Sequence, residues 1–288
     1  MAARLAARGP IIVWNRTRSR AEAFVTRHGG IVAATPRDVA AECSVVLTCL
    51  PNSREVEDVL SGPGGLEEGL ASGGLLLDCT SGEPHRSRVI ADRLASRGVS
   101  FADTPVSGGT NGAEAGTLVV MIGGTEEVVA RATPILLAFA GRIVHTGPVG
   151  TGHAVKAVNN ALLGTHIIAL AEGLTGLVKT GVSPDRAVEV INLSSGRSFV
   201  SEVLVPDRVL TGSWPRTFRL ALLAKDVGIA CQVLEEVGVD APVLEAAHSA
   251  LGSAIEALGD AGADYLEAIR VAEERAGVAI RHPEGAPS

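Results

Sequence analysis

The chain has 288 residues, 46% apolar and 20% charged, which is the composition of a globular protein long enough for two domains. Its net charge of −7 argues against nucleic acid as a partner, because neutralising phosphates requires a basic surface. The cysteines and histidines are dispersed, so we expect no metal site and a reducing, cytoplasmic location. The longest apolar stretch contains Lys156 and Glu172, and we therefore expect no membrane span.

The first half of the chain alternates short β-branched segments with amphipathic ones, a pattern typical of βαβ units and a largely parallel sheet. The predicted strands are residues 10–14, 30–33, 44–49, 74–79, 99–103, 118–122 and 142–145. The predicted helices between them are residues 19–27, 37–42, 53–60, 86–97 and 126–139.

The second half has almost no strand pattern. Its predicted helices are residues 152–180, 186–193, 218–237, 242–258 and 265–276, followed by a disordered tail over 282–288. The sequence therefore predicts an α/β nucleotide-binding domain over residues 1–148 and an all-helical domain over residues 149–288.

A dinucleotide-binding domain normally begins with a strand and a G-x-G-x-x-G loop that leads into a helix. Residues 2–7 are typical of the end of that helix, and residues 11–14 of the second strand. We therefore expect the first strand and glycine loop to be missing from this chain, and Met1 not to be the natural beginning of a working enzyme.

The second predicted strand is followed by Asn15, Arg16 and Thr17, without the acidic residue that binds a ribose 2′-hydroxyl. An arginine at this place suits a 2′-phosphate, which favours NADP over NAD as cofactor. The alternative interpretation is a Thr-capped turn with solvent-exposed arginines.

Three further segments contain candidate functional residues. Ser107, Gly108 and Gly109 follow a predicted strand and suit carboxylate binding, or form a plain turn. Lys156 and Asn160 are four residues apart in a predicted helix and share one face, as a general acid/base and an orienting amide would. The alternative is a structural lysine in an apolar helix with asparagines in polar contacts. Lys225 suits contact with the cofactor, and Asp226 either pairs with Lys225 or anchors a helix; the alternative is that either residue lies at the surface.

The ordered set of short segments across nearly the whole chain resembles the β-hydroxyacid dehydrogenase family, which includes 3-hydroxyisobutyrate dehydrogenase and tartronate semialdehyde reductase. The matching segments are residues 14–17, 50–52, 78–81, 103–109, 116–118, 123–124, 156–160, 172–173 and 225–226. The resemblance implies a Rossmann-type domain followed by an all-α domain, which often mediates dimers. It also implies a homodimer or homotetramer that acts on a small hydroxy acid.

The resemblance also implies roles for individual residues. Lys156 corresponds to the family's general acid/base, with Asn160 beside it, and Ser107, Gly108 and Gly109 correspond to its substrate-carboxylate loop. Leu50, Pro51, Ser81 and Lys225 correspond to residues that line the cofactor. The expected reaction is reversible hydride transfer between NADP and a β-hydroxy acid or semialdehyde.

Two related activities and one inactive alternative are weighed against this expectation. Leu163 occupies the place of an acid in 6-phosphogluconate dehydrogenases, which disfavours oxidative decarboxylation of a sugar phosphate. An imine-reductase-like enzyme is an alternative, but imine reductases typically lack the lysine that is present here. A catalytically silent binding protein of the same fold is the other alternative, favoured by the absent glycine loop.

Overall fold

Eight short strands form two sheets in the computed structural model, which describes residues 1–282. A two-stranded parallel sheet pairs β1 (Ile12–Val13) with β2 (Ile31–Val32). The six-stranded sheet consists of β3 (Val45–Thr48), β4 (Leu75–Asp78), β5 (Ser100–Asp103), β6 (Val106–Ser107), β7 (Leu118–Gly123) and β8 (Ala140–Gly147). Its strand order is β3-β4-β5-β7-β6, with β8 paired to β7.

The sheet is mixed rather than wholly parallel. Strands β3, β4 and β5 run parallel, and so do β7 and β8, as the sequence predicts. Strand β7 is antiparallel to β5 and to β6. Strand β6 was not predicted, because only Val106 and Ser107 pair with β7 and two residues show no periodicity.

Eight helices accompany these strands: α1 (Ala2–Ala6), α2 (Arg18–His28), α3 (Pro36–Glu42), α4 (Ser53–Ser61), α5 (Leu66–Gly69), α6 (Pro84–Ala95), α7 (Gly109–Ala115) and α8 (Glu126–Leu136). Side-chain caps fix several of their starts, since Thr35, Asn52 and Thr125 each accept a hydrogen bond from the backbone N–H three residues on. The five predicted helices are present, whereas the short helices α5 and α7 were not predicted.

Strand β4 shows how the sheet is covered on both faces. Leu75 and Leu77 are fully buried in a cluster with Phe139, while Leu76 is fully buried in a second cluster with Leu60. Successive side chains of a strand point to opposite faces, so each face of the sheet has its own apolar layer. This arrangement, with the all-helical part that follows, confirms the predicted fold class.

The second half of the described chain is helical. It contains α9 (Thr151–Lys179), α10 (Pro184–Asn192), a π-helix (Val200–Leu210), α11 (Leu220–Glu236), α12 (Pro242–Leu258), a 3₁₀ turn (Tyr265–Glu267) and α13 (Ala268–Ala276). The predicted helices agree with these, but the π-helix was missed. It contains Pro206, which is typical of a helix break, and π-helical hydrogen bonding does not follow the 3.6-residue period of an α-helix.

The chain divides into two compact units, Met1–Lys156 and Ala157–Ser288, within helix α9. The predicted domain boundary after residue 148 lies just before α9 and stays a prediction. Helix α9 is long and apolar enough to span a bilayer. However, Ile167 and Leu174 are fully buried in the apolar cluster of the second unit, as expected of a core helix.

The end of the described chain is bound to the second unit. Ile280 is fully buried, and Glu273 accepts hydrogen bonds from the Ile280 N–H and the Arg281 guanidinium. His282 was predicted to begin a disordered tail, but its N–H donates to the Leu210 carbonyl. The rest of that predicted tail, residues 283–288, lies outside the described residues.

Candidate active site

The end of strand β1 presents the candidate 2′-phosphate residues. Asn15, Arg16 and Thr17 are exposed, and the Asn15 side-chain oxygen accepts a hydrogen bond of 2.9 Å from the Thr17 N–H. The Arg16 side chain is 78% exposed, and its Nη1 lies 3.0 Å from Glu55 Oε2 on helix α4. Arg16 is therefore an accessible cation, one edge of which is paired with a carboxylate.

The loops after β3 and β4 are joined by a buried carboxylate. Asp78 Oδ1 accepts hydrogen bonds from Thr48 Oγ1 at 2.8 Å and from the Thr80 N–H at 3.0 Å. The hydroxyl oxygen of Thr80 in turn accepts a 3.1 Å hydrogen bond from the Leu50 N–H. These bonds bring together the loop that contains Leu50 and the loop that follows β4, both at the carboxyl ends of parallel strands, where ligands of such sheets bind.

Pro51 and Ser81, the other cofactor candidates of these two loops, are half-buried. Asp78 and Thr80 were not predicted as site residues, although both belong to a segment that resembles the family. Their hydrogen-bond partners are 30 residues away in the chain, so no local pattern could reveal them.

The start of helix α9 is capped by a side chain at the end of strand β5. Asp103, at the end of β5, is fully buried, and its two carboxylate oxygens accept hydrogen bonds from the N–H groups of Gly150 (2.7 Å) and His153 (2.8 Å). Burial raises the pKa of the Asp103 carboxyl. A Cβ at Gly152 would lie 2.5 Å from the Met121 carbonyl oxygen, so this close approach requires glycine. The capping role of Asp103 was not predicted from the sequence.

Lys156 lies in the second turn of α9 and is buried, with 9% of its surface exposed. Asn160, one turn further along α9, is also buried, at 3%. The helix therefore presents a buried amine and a buried amide four residues apart, as predicted.

In the second unit, Asp226 holds Asn160 in place. The Asn160 Nδ2 donates a 2.6 Å hydrogen bond to Asp226 Oδ2, and the Asn159 amide donates to Asn160 Oδ1. Lys225 Nζ lies 2.9 Å from Asp226 Oδ1, the pair that the sequence suggested. Asp226 is 1% exposed, and its bond to Asn160 had no signal in the sequence because 66 residues separate the two.

The predicted carboxylate loop begins with Ser107, the last residue of strand β6. Ser107 is half-buried, whereas Gly108 and Gly109 are exposed and have φ values of 129° and 64°, which only glycine adopts readily. A Cβ at Gly108 would also lie 3.0 Å from the Leu118 side chain. The backbone of this loop is thus open to a ligand in the first unit.

The candidate residues are divided between the two units. The first unit contains Asn15–Thr17, Leu50, Pro51, Ser81, Ser107–Gly109 and Lys156, and the second contains Asn160 and Lys225. A groove of about 540 Å³ in the first unit is lined by other residues, among them Arg88, His145 and Pro148. Over residues 1–282 no group of three or more His, Cys, Asp or Glu side chains has a metal-binding arrangement.

Two family models match the chain in succession. Residues 1–147 match the NAD-binding domain of 6-phosphogluconate dehydrogenase, and residues 150–272 match the NAD-binding domain of NADP-dependent 3-hydroxyisobutyrate dehydrogenase.

Individual relatives agree with these models. The chain is 36% identical to 2-(hydroxymethyl)glutarate dehydrogenase of Eubacterium barkeri over 90% of this chain and 85% of that protein. It is 32% identical to L-threonate dehydrogenase of Cupriavidus necator over 84% of this chain and 82% of that protein. A solved structure of Mycobacterium tuberculosis 3-hydroxyisobutyrate dehydrogenase with L-serine superposes with a TM-score of 0.82, at 28% identity over 94% of this chain and 93% of that one. The chain therefore belongs to the β-hydroxyacid dehydrogenase family of NAD(P)-binding oxidoreductases.

Proposed function

We propose that the chain catalyses reversible hydride transfer between NADP and a small β-hydroxy acid or its semialdehyde, with Lys156 as general acid/base. The observation that carries this proposal is the buried pair on helix α9, in which Lys156 lies one turn from an Asn160 held by Asp226. A buried amine beside an amide that a carboxylate holds suits a proton carrier next to a group that orients the substrate. Together with membership of the family, this arrangement favours catalysis over a silent binding protein.

The residues at the ends of β1, β3 and β4 fit NADP. Arg16 offers an exposed guanidinium suited to a 2′-phosphate, and the loops with Leu50, Pro51 and Ser81 lie at the carboxyl ends of parallel strands. When bound, the cofactor accepts or supplies the hydride. Lys225 is proposed to approach the cofactor as well.

The protein's own residues handle the proton and the substrate. In oxidation, Lys156 Nζ takes the proton from the substrate hydroxyl as the hydride leaves the carbon that bears this hydroxyl. In reduction, Lys156 returns the proton to the oxygen. Asn160 has a second amide N–H besides the one bound to Asp226, and this group holds the hydroxyl oxygen. Ser107, Gly108 and Gly109 bind the carboxylate through the hydroxyl and backbone N–H groups.

The name of one relative and the molecule bound in the structure of another support the substrate class. 2-(Hydroxymethyl)glutarate and L-serine both have a hydroxymethyl group on the carbon that bears a carboxylate. A substrate of this type requires one anion site and one proton carrier a short distance apart. We therefore propose 2-substituted 3-hydroxypropanoates as substrates, in the cytoplasm.

The substitution Lys156→Ala tests the proposal. We expect kcat with the best of 3-hydroxyisobutyrate, 2-(hydroxymethyl)glutarate, L-serine and L-threonate to fall by about 10²–10⁴-fold, since this is what general acid/base groups contribute. The affinity for NADPH, measured by titration calorimetry, should change little. Lys179→Ala at the exposed end of the same helix is the matched control and should keep wild-type kcat. Near wild-type turnover in Lys156→Ala would contradict the assignment, and NADPH binding without turnover on any of the acids would favour a silent protein.

We also propose that the protein is a homodimer or homotetramer. Val190, Leu193 and Phe199 of the second unit are 62%, 82% and 59% exposed, which is unusual for large apolar side chains that follow one another so closely. Size-exclusion chromatography with light scattering measures the mass directly, and a monomer at micromolar concentration would contradict the proposal.

A further inference from the structure

His153, in the first turn of α9, is buried among polar groups that the proposed reaction does not use. It is 1% exposed, and its ring lies against Gly82, where a Cβ would be 2.9 Å from the ring carbon Cε1. Its Nδ1 is 2.7 Å from the hydroxyl oxygen of Ser87 on helix α6. Its Nε2 is 3.9 Å from Asp78 Oδ2 and has no hydrogen-bond partner among the described residues.

The surrounding bonds indicate which ring nitrogen of His153 carries the proton. The Ser87 hydroxyl oxygen lies 2.7 Å from Nδ1 and 3.3 Å from the Glu83 carbonyl oxygen, and its single proton is donated along the shorter contact, to Nδ1. Neutral histidine then has its proton on Nε2, facing the Asp78 carboxylate. The opposite tautomer would direct a lone pair of Nε2 at a negative charge, which is unfavourable in a buried place. Asp78 on β4 and Asp103 on β5 are the acidic groups that face His153.

Each end of His153 is attached to a different part of the candidate site. Its backbone N–H is bound by Asp103, which fixes the start of the helix that contains Lys156 three residues on. Its ring faces Asp78, which holds the Thr80 loop and, through Thr80, the Leu50 loop. One residue therefore links the proton carrier to both loops that are proposed to bind the cofactor.

We propose that His153 is a positioning residue for Lys156: its Nε2–H contact with Asp78 and its Nδ1 bond to Ser87 hold the first turn of α9 in register with the loops after β3 and β4. The inference rests on the proposed function only for its effect on turnover, since the structural link itself is independent of the reaction. Displacing a catalytic group by an ångström costs up to about 10²-fold in rate. His153 acts through Lys156 and does not touch the substrate.

The test compares His153→Leu with His153→Gln. Leucine fills the space without polar atoms, whereas the glutamine amide can donate to Asp78 and accept from Ser87. We expect His153→Leu to lower kcat by roughly 10–100-fold with little change in KM for the hydroxy acid, and His153→Gln to keep kcat within about threefold. Should His153→Leu fail to fold, Ser87→Ala takes its place, because it removes only the hydroxyl that holds Nδ1.

A second measurement reports the position of Lys156 without turnover. The chain has three lysines, Lys156, Lys179 and Lys225, so protein labelled with ¹³C-lysine gives three resolvable Cε signals in ligand-free NMR spectra. We expect His153→Leu to shift the Lys156 signal and leave that of Lys179 in place, and His153→Gln to shift neither.

The two measurements separate the two proposals. An unmoved Lys156 signal in His153→Leu, or an unchanged kcat in that variant, overturns the positioning role of His153. A shifted Lys156 signal in a protein that turns over none of the hydroxy acids supports the positioning role and overturns the proposed function.

Discussion

At the scale of single residues, the proposed preference for NADP rests on Arg16 and on the carboxylate beside it. Arg16 suits a 2′-phosphate, but Glu55 already occupies one edge of its guanidinium. A 2′-phosphate bound to Arg16 would therefore break this ion pair or lie close to the Glu55 carboxylate. Either costs free energy, and NADH does not incur this cost because it has no 2′-phosphate. The net preference for NADPH is a difference of two free energies. One is gained from the charge-assisted hydrogen bonds that Arg16 donates to the phosphate, and the other is lost with the exposed Arg16–Glu55 ion pair.

We expect the protein to prefer NADPH over NADH, and Arg16→Ala to lower the NADPH preference by about 1.5–3 kcal/mol, the contribution of hydrogen bonds to charged groups. Glu55→Gln should strengthen NADPH binding by less than about 1 kcal/mol, because exposed ion pairs are weak. The measurement is kcat/KM for both cofactors, and Arg20→Ala in the nearby helix α2 is the control. Equal values for NADPH and NADH in the wild type would refute the preference.

Cys79 gives a prediction on pH. Its side chain is buried beside Thr104, and burial raises the pKa of the thiol well above its ordinary value. The unfolded chain ionises this thiol from about pH 8.5, whereas the folded chain does not. The free energy of unfolding should therefore fall as pH rises above about 8.5, by up to about 1.4 kcal/mol per pH unit.

The check on Cys79 is urea unfolding at pH 7.5 and 9.5 in the wild type and in Cys79→Ala. The loss of stability between the two pH values should be smaller in Cys79→Ala, because that variant lacks the buried thiol. An equal loss in both proteins would show that Cys79 does not contribute to the alkaline instability.

At the scale of elements, the start of α9 depends on a side chain 47 residues earlier in the chain. An asparagine at position 103 could accept one of the two N–H groups, but its own NH₂ would face the other. We expect Asp103→Asn to destabilise the first unit by about 1–3 kcal/mol, the cost of a buried donor left unpaired.

Unfolding in urea, followed by Trp14 fluorescence, measures this loss. Thr125→Ala, which removes the local cap of α8, is the comparison and should cost about 1 kcal/mol. A gain in stability in Asp103→Asn would mean that the desolvation that raises the pKa of Asp103 outweighs both hydrogen bonds.

The difference between local interactions, such as the Thr125 cap, and interactions across the chain, such as the Asp103 cap, explains how far the sequence could predict the elements and the site. Helix α12 (Pro242–Leu258) was predicted to the residue, because a proline marks its start and its apolar residues recur at helical spacing. The placement of Lys156 and Asn160 one turn apart on a helix was predicted, because a fixed spacing on one helix is local information. The bonds of Asp78 to Thr48, of Asp103 to Gly150 and of Asp226 to Asn160 were not predicted, because the partners are dozens of residues apart and no local pattern encodes them.

At the scale of the whole molecule, each unit has its own apolar core and its own tryptophan. Trp14 packs against the cluster that contains Leu76, and Trp214 packs against the cluster that contains Leu251. Leu76 and Leu251 are fully buried, so replacing either with alanine removes packing interactions and leaves a cavity.

We expect Leu76→Ala to destabilise the unfolding transition reported by Trp14 by about 2–5 kcal/mol, and Leu251→Ala to do the same for the transition reported by Trp214. The variants Trp214→Phe and Trp14→Phe provide the two single-tryptophan backgrounds. Identical shifts at both tryptophans for both substitutions would show instead that the two units unfold as one cooperative body.

The cap that Asp103 supplies to α9 also constrains the order in which the protein folds. An ordinary helix can nucleate from its own cap. The first turn of α9 instead acquires its acceptors only once strand β5 is in place and Gly152 is packed against the Met121 carbonyl on β7. The turn next to Lys156 should thus form late, after the sheet. Its opening in the native state should likewise require the sheet to open. The amides of Gly150 and His153 should then exchange with solvent hydrogen as slowly as those of β5, rather than at the faster rate of a fraying helix end.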